Sequence, residues 1–388
     1  MSQLQITPPS GVTSQLTICE IETFPIRVPL GRVYRGSKYE MTHRSTIVIR
    51  IHMENGIVGE AYAGDEDDGL EVIDRIIHRE IAPVLLGQDA MSVERCWELA
   101  RPVTMNILRD RRLGLVASAC VDTAIWDAIG KFLRQPLWRL WGGFTNRLPM
   151  TIAGGYYFPD ADIGAEVESV MERQFAGIKF KVGGLSPKED AARFWTARRA
   201  AGDDLILMAD ANQAWSPSEA IEFCHLVRDA NLFWFEEPCA WDNDRKAMRD
   251  VRYGAGVPIC AGQTEFSAGG CRDLMAEGAI DYCNFDASWS GGPTEWRRVA
   301  AMARSYNVSM AHHEEAQVAA HLLASIPHGT FVETFLPDRD PVWWNILANR
   351  PDPVSGFITL SEEPGLGWEL DWDFIASHRL VFDHGSSA

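Results

Sequence analysis

Acidic, basic and imidazole side chains recur at the ends of short apolar runs through the second half of the chain. In order they are Lys179 and Lys181, Asp210 with Asn212, Glu236-Glu237, Gln263 with Glu265, Asp286, His312-His313 and Glu333. Lys179 and Lys181 lie two apart, so on a strand both point to the same side. Two adjacent ammonium groups destabilise each other, which predicts that one has a lowered pKa and serves as a neutral base. The alternative is that both lysines pair with neighbouring carboxylates. Asp210, Glu236 and one group from the following run, Gln263 or Glu265, form a cluster of oxygen donors. Oxygen ligands without Cys or paired His suit a hard cation, foremost Mg²⁺; here the alternative is salt bridges to the two lysines. Asp286 and His313 fall on consecutive runs. A carboxylate on one ring nitrogen fixes the tautomer and makes the other nitrogen more basic. Glu333 could donate a hydrogen bond if protonated.

A lysine base, a divalent cation and an opposing His–Asp pair are together what removal of a proton next to a carboxylate requires. The product is an enediolate with negative charge on its oxygens, and a preorganised cation supplies the largest share of its stabilisation.

Such groups must be brought to one place by the elements that carry them. Beyond Arg147 short apolar runs (TIAGGYY, GIKFKV, LILMADAN, FWFEEP, PICAGQ, YCNFDAS, VSMAHHE, TFVETF) alternate with amphipathic stretches at intervals of roughly 20–30 residues, the period of a βα unit. The count predicts an α/β fold, a (β/α)7-8 TIM-type barrel, whose catalytic groups lie at the C-terminal strand ends. Before it, Ile18 to Val28 reads as a strand. TIVIRIHM and IVGEAYA flank a Glu54-Asn55-Gly56 turn as a hairpin, and Gly69 to Gly143 is helical in period. That is an N-terminal α+β capping domain. The expected division is a flexible tail over 1–16, the capping domain over 17–145, the barrel over 146–350, and a C-terminal segment over 351–388 packing back on the capping domain. The segment GRVYRGSKYEMTHR, between the first two strands, is polar and basic and reads as a loop able to cover a site, with Tyr34 and Arg35 as substrate contacts and Arg32 and Lys38 beside them. Asn212 is a further candidate for substrate binding.

Hydrophobic residues make up 46% of the 388, so a large globular core is expected. The net charge of −18 repels phosphate backbones and anionic lipid, which argues against nucleic acid and membrane as partners. An anionic substrate then needs a locally positive site. No signal-peptide pattern opens the chain, no run of eighteen apolar residues occurs, and the eight cysteines form no CxxC pair, a pattern expected of reduced thiols in a cytoplasmic protein. A homo-oligomer is expected, as barrels commonly bury surface in symmetric assemblies.

These motifs resemble the enolase superfamily and, within it, the mandelate racemase subgroup, over nearly the whole chain. DTAIWDAIGKFLRQPLWRLWGG (122–143) resembles the family's helix ending in Gly-Gly, and KFK (179–181) its Lys-x-Lys motif. ADAN (209–212) and EEP (236–238) resemble the first two metal segments, FDASWSGG (285–292) and MAHHEEAQVAAHLLA (310–324) the Asp and His segments, and FVE (331–333) the segment of the electrophilic glutamate. The resemblance implies Lys181 as base, Lys179 near the substrate carboxylate, Asp210 and Glu236 as Mg²⁺ ligands, His313 rather than His312 paired with Asp286, and Glu333 as electrophile. A Lys or His base with Mg²⁺ is a general property of that superfamily rather than a deduction from these residues. One departure stands out. The family's third metal position is usually Gly-Glu, and here it reads AGQTEF, so that Gln263 takes the matching position and Glu265 lies two residues on. By register Gln263 is preferred.

The expected activity is that of an acid-sugar (aldonate or aldarate) dehydratase, a lyase giving a 2-keto-3-deoxy acid. The alternatives are an isomerase (a racemase or epimerase of a 2-hydroxy acid, since two bases on opposite faces also suit 1,1-proton transfer), a Schiff-base aldolase, and a non-catalytic barrel.

Overall fold

The computed structural model describes residues 15–64, 69–159 and 161–382. The tail expected over 1–16 therefore lies almost wholly outside the described residues; Leu16, at its end, is fully buried.

Alternating apolar side chains build a three-stranded antiparallel sheet from β1 (Ile18–Arg35), β2 (Glu40–Met53) and β3 (Val58–Ala63). Gly56, at φ 85°, supplies the left-handed residue that the tight turn before β3 needs. The segment expected to be an open loop is instead the far end of the β1–β2 ribbon. Pairing is interrupted between Pro29 and Tyr34, then resumes with Tyr34 opposite Met41 and Arg35 opposite Glu40. The ribbon tip reaches the barrel, where the Ser37 hydroxyl donates to the Ala211 carbonyl at 2.9 Å. The inner face of the sheet packs on the helix Arg111–Leu133, which Asp110 caps by accepting from the Arg112 N–H at 2.9 Å. That helix is long and apolar enough by length and composition to cross a membrane, yet it is the buried core helix of this domain.

Eight parallel strands follow: β4 (Arg147–Gly154), β5 (Gly177–Lys181), β6 (Ile206–Asp210), β7 (Leu232–Glu236), β8 (Ile259–Ala261), β9 (Tyr282–Cys283), β10 (Ser309–Met310) and β11 (Val332–Thr334). They pair in the order β10-β9-β8-β7-β6-β5-β4-β11. Met310 closes the ring: its N–H donates to the His328 carbonyl at 2.8 Å and its carbonyl accepts from the Thr330 N–H at 2.9 Å, just before β11. A helix follows every strand, and those at Pro187 and Pro217 open with capping boxes, Ser186 with Glu189 and Ser216 with Glu219. Met208, Trp234, Cys260, Ala311 and Phe331 plug the barrel below the mouth. All eight cysteines are unpaired.

The C-terminal segment touches both parts. Its strand β12 (Phe357–Thr359) pairs antiparallel with the start of β4, while Trp372 stacks edge-on against Phe24 and the Leu380 N–H donates to the Pro25 carbonyl at 2.8 Å.

Candidate active site

Strand alternation on β5 sends Ile178 and Phe180 outward to the helices and Lys179 and Lys181 into the barrel mouth. The Lys179 ammonium lies 2.7 Å from both Glu236 and Glu333 and 3.7 Å from Asp210. Lys181 donates to Asp210 at 2.7 Å and to the Asn212 amide oxygen at 3.0 Å. This corrects the expectation of a lowered lysine pKa. Burial favours the neutral amines, but the converging carboxylates outweigh it and hold both lysines well above the usual range. Burial alone would raise Asp210, yet Lys181 and Lys179 bring it below the usual carboxylate range. Glu236 is pushed up to about 8 by burial and by the nearby Asp210 and Glu333, against the pull of Lys179.

At the third position the two candidates separate. Gln263 is buried in the mouth, its N–H donating to Asn284 Oδ1 at 3.2 Å and its Nε2 to Glu237 Oε2 at 3.0 Å. Glu265 points away, paired with Arg245 at 2.5 Å, and does not join the cluster. Because Arg245 follows β7 and reaches across to that loop, Glu265 is held by an ion pair that sequence spacing does not reveal. Glu237, to which the sequence assigns no role, is fully enclosed. It accepts from Gln213 at 3.1 Å, Gln263 at 3.0 Å and Thr264 at 2.9 Å, all neutral donors.

The lysines neutralise only part of this cluster. Asp210, Glu236, Glu237 and Glu333 are four buried carboxylates against the two ammonium groups of Lys179 and Lys181. Buried charge is costly unless paired, and the surplus of carboxyls over ammonium groups, with Glu236 and Glu237 both raised by burial and by neighbouring carboxylates, makes a set of hard oxygen donors that fits a divalent cation. Among the described residues no trio of His, Cys, Asp and Glu side chains stands in ready-made ligand geometry. Asp210 and Glu236 are drawn onto the lysines, and Gln263, at the third position, is an amide.

The opposite wall carries the imidazole. Asp286 Oδ2 meets His313 Nδ1 at 2.9 Å, and its Oδ1 is fixed by the Ser288 N–H at 2.8 Å and the Ser288 hydroxyl at 2.6 Å. His313 Nε2 faces Glu314 Oε1 at 3.3 Å. Burial would favour the neutral ring, but Glu314 and Asp286 outweigh it and hold His313 well above its usual value. His312 differs. Its Nε2 accepts from the Ala287 N–H at 3.0 Å, so Nδ1 carries the proton and donates to the His313 carbonyl at 2.8 Å, and burial lowers its pKa. Glu333 accepts from the Glu314 N–H at 3.2 Å on the side away from Lys179.

Lys181, Asn212, Gln263 and His313 border one cavity of about 400 Å³. Of the ribbon residues expected there, Tyr34 donates to Asp338 at 2.6 Å in a separate cavity of about 200 Å³, and Arg35 pairs with Glu40 at 2.7 Å on the surface. The register shift after Pro29 turns other residues inward, so Tyr39, Met41 and His43 line the cavity instead. Arg44, on the same ribbon, is buried against Glu314 at 3.3 Å, Glu315 at 2.7 Å and Asp340 at 3.2 Å. Arg112 and Arg339 also border the cavity, and neither carries a sequence signal that marks it.

Two family models match: the mandelate racemase / muconate lactonizing enzyme N-terminal domain over residues 21–142, and the enolase C-terminal domain-like family over 162–374. A 3,6-anhydro-alpha-L-galactonate cycloisomerase of Streptomyces coelicolor is 29% identical, covering 91% of this chain and 97% of its own. An arabinonate dehydratase of Saccharolobus solfataricus is 27% identical over 84% and 88%. Among solved structures, a mandelate racemase/muconate lactonizing enzyme from a marine actinobacterium in complex with magnesium is 58% identical, with a TM-score of 0.90 over 94% of this chain and 100% of that one. An L-talarate dehydratase from Polaromonas complexed with Mg and L-glucarate is 25% identical, with a TM-score of 0.85 over 94% and 98%. The chain belongs to the mandelate racemase/muconate lactonizing enzyme family of the enolase superfamily.

Proposed function

We propose that this enzyme dehydrates an acid sugar, an aldonate or aldarate, to a 2-keto-3-deoxy acid, with Mg²⁺ as cofactor. The observation that carries this reading is the placing of Lys181 and His313 on one cavity, with His313 clamped between Asp286 and Glu314. Two flanking carboxylates favour the imidazolium, a donor suited to protonating a departing hydroxyl. A racemase must run its two bases in both directions with balanced proton affinities, and a second carboxylate on His313 works against that balance. The relatives that dehydrate arabinonate and talarate or galactarate support the same substrate class.

Lys181 takes the α-proton on its side of the cavity, and Asn212, 3.0 Å from its ammonium, keeps the side chain aimed there. His313 gives a proton to the leaving hydroxyl on the other side. Lys179 and Glu333, paired at 2.7 Å, hold the substrate carboxylate end. Asp210, Glu236 and Gln263 would hold a divalent cation, which would supply positive charge to the carboxylate as it becomes an enediolate and would weaken the hold of the Asp210 charge on the Lys181 ammonium.

A keto-acid assay over a library of aldonic and aldaric acids, with Mg²⁺ and with EDTA, tests the reading. Metal-dependent keto acid from one or a few of them is the expected result. No keto acid, with solvent deuterium entering recovered substrate, would replace it with the isomerase reading. That second reading rests on the cycloisomerase and the N-succinyl-L-Arg/Lys racemase among the relatives.

A further inference from the structure

We infer that Asp122 of the capping domain is a positioning residue for the Asp286–His313 pair: it fastens the loop after β9 that carries Asp286 and aligns that carboxylate with the imidazole. The kinetic consequence rests on the reading of His313 as the acid.

The helix Gly292–Ser305 starts after Gly291, which has no side chain to accept from the N–H groups of the first turn. Asp122, on the helix Arg111–Leu133, takes the place of that cap from the other domain. Its Oδ2 accepts from the Thr294 N–H at 2.9 Å, and its Oδ1 accepts from the Thr294 hydroxyl at 2.8 Å. The Trp126 indole N–H, one turn further along the same helix, donates to the Thr294 hydroxyl oxygen at 2.9 Å. A carboxylate is also favoured electrostatically at a helix N-terminus. Gly292 lies at φ 87°, and a Cβ there would stand 2.5 Å from Asp122 Oδ2, so the backbone approaches the carboxylate this closely only as glycine.

The loop so fastened is closed on itself by the Gly292 N–H, which donates to the Ala287 carbonyl at 2.8 Å. A second capping-domain side chain, Trp97, donates its indole N–H to the Gly291 carbonyl at 2.8 Å. On the barrel side the Ser290 hydroxyl donates to the Glu265 carbonyl at 2.7 Å. Inside the loop the Ser288 and Trp289 N–H groups donate to Asp286 Oδ1 at 2.8 and 3.3 Å, and the Trp289 ring packs on His313 with 4.8 Å between ring centres. The donors that orient Asp286 are thus backbone groups of the loop that Asp122 and Trp97 pin from outside. A shift of the loop carries those donors with it, and with them the carboxylate on His313 Nδ1. Misplacing a catalytic group by about 1 Å can cost about 10²-fold in rate.

The test compares two isosteric variants. Asp122→Asn keeps the volume but turns an NH₂ group toward one of the two Thr294 donors. Asp127→Asn is the control, the same change on the same helix, where Asp127 accepts from the Glu60 and Leu366 N–H groups at 2.8 Å and pairs with Lys131 at 2.7 Å. Both are expected to lower the urea midpoint, and only Asp122→Asn to disturb the acid. In that variant keto-acid formation is expected to fall by up to about 10²-fold while deuterium from D₂O still enters recovered substrate. The ¹⁵N signal of His313 Nδ1, assigned in histidine-labelled protein by its loss in His313→Asn, is expected to shift in Asp122→Asn and to stay in Asp127→Asn. An unmoved signal in Asp122→Asn, or an equal shift in Asp127→Asn, would overturn the inference. So would elimination and exchange falling together. If the intact protein forms no keto acid, the dehydratase reading fails alone, because the ¹⁵N signal reports the Asp286–His313 bond whichever reaction is catalysed.

Discussion

His313 Nε2 stands 3.3 Å from Glu314 Oε1, on the side of the ring opposite the nitrogen that Asp286 holds at 2.9 Å. Both ring nitrogens therefore meet a carboxylate, and each favours the protonated ring. Removing Glu314 takes away one of the two carboxylates whose attraction outweighs burial. In Glu314→Gln the pKa of His313 falls, and the alkaline limb of the pH–rate profile, where the acid form is lost, moves to lower pH. Stability follows the same sign. A raised histidine contributes stability that is complete below its unfolded value of about 6.5 and is lost as pH rises through the folded value. In the variant that loss comes earlier. Profiles of kcat and of urea midpoint against pH check both, and superimposable profiles would remove Glu314 from the acid's environment.

The roles of Lys181 and His313 separate by isotope. In His313→Asn the lysine still exchanges the α-proton but no acid assists the leaving hydroxyl. Turnover is expected to fall by about 10²–10⁴-fold, while deuterium from D₂O still enters recovered substrate. In Lys181→Met both keto-acid formation and exchange on that face stop. Exchange surviving in Lys181→Met and vanishing in His313→Asn would reverse the assignment of base and acid.

Metal removal should register in stability as well as rate. The buried carboxylates Asp210, Glu236 and Glu237 repel one another in the absence of a counter-charge beyond the two lysines. Mg²⁺ at 100 times its dissociation constant stabilises the folded state by about 2.7 kcal/mol. Thermal melts with Mg²⁺ and with EDTA read the difference. Equal melting temperatures, at a Mg²⁺ concentration that saturates activity, would contradict binding within this cluster.

Much of this was legible because it depends on local pattern. The spacing of apolar runs locates all eight barrel strands, and Lys181, Asn212, Gln263 and His313 lie at the mouth as the runs indicate, whereas Glu265 turns away to Arg245. Neighbouring strands bring Asp286 beside the His312-His313 pair, and the choice of His313, which the 2.9 Å contact matches, comes from the family resemblance. The ribbon tip was not legible, because Pro29 and Gly31 break the alternation and the register shift decides which of Tyr34 and Tyr39 faces the cavity. Nor were Glu237 and Glu314, since each follows another polar residue and enters the mouth only through a left-handed backbone, at φ 36° and 49°, which glutamate does not advertise. The raised lysine pKa is hidden from the sequence for a related reason: the carboxylates that hold Lys179 come from β6, β7 and β11, a convergence that exists only once the barrel closes.

Arg44 links the capping domain to His313 through Glu314. Its guanidinium, fully enclosed, meets Glu314, Glu315 and Asp340, and Glu315 also accepts from Gln317 at 2.8 Å. The Glu314 and Glu315 backbones are both left-handed, at φ 49° and 47°, which brings the two consecutive carboxylates to the one cation. Replacing Arg44 by Met keeps the stem's apolar bulk but leaves these carboxylates buried without their shared partner, a change expected to cost about 3–5 kcal/mol. The loss should be largest at neutral pH. It should shrink as pH falls, because protonating Glu314, whose carboxyl His313 and Arg44 hold well below the usual carboxylate range against the effect of burial, relieves the unpaired charge. Urea unfolding of the intact protein and of Arg44→Met between neutral and mildly acid pH measures this. A difference that stays constant across that range would mean that Arg44 contributes through packing alone and that its ion pairs do not couple the ribbon to His313.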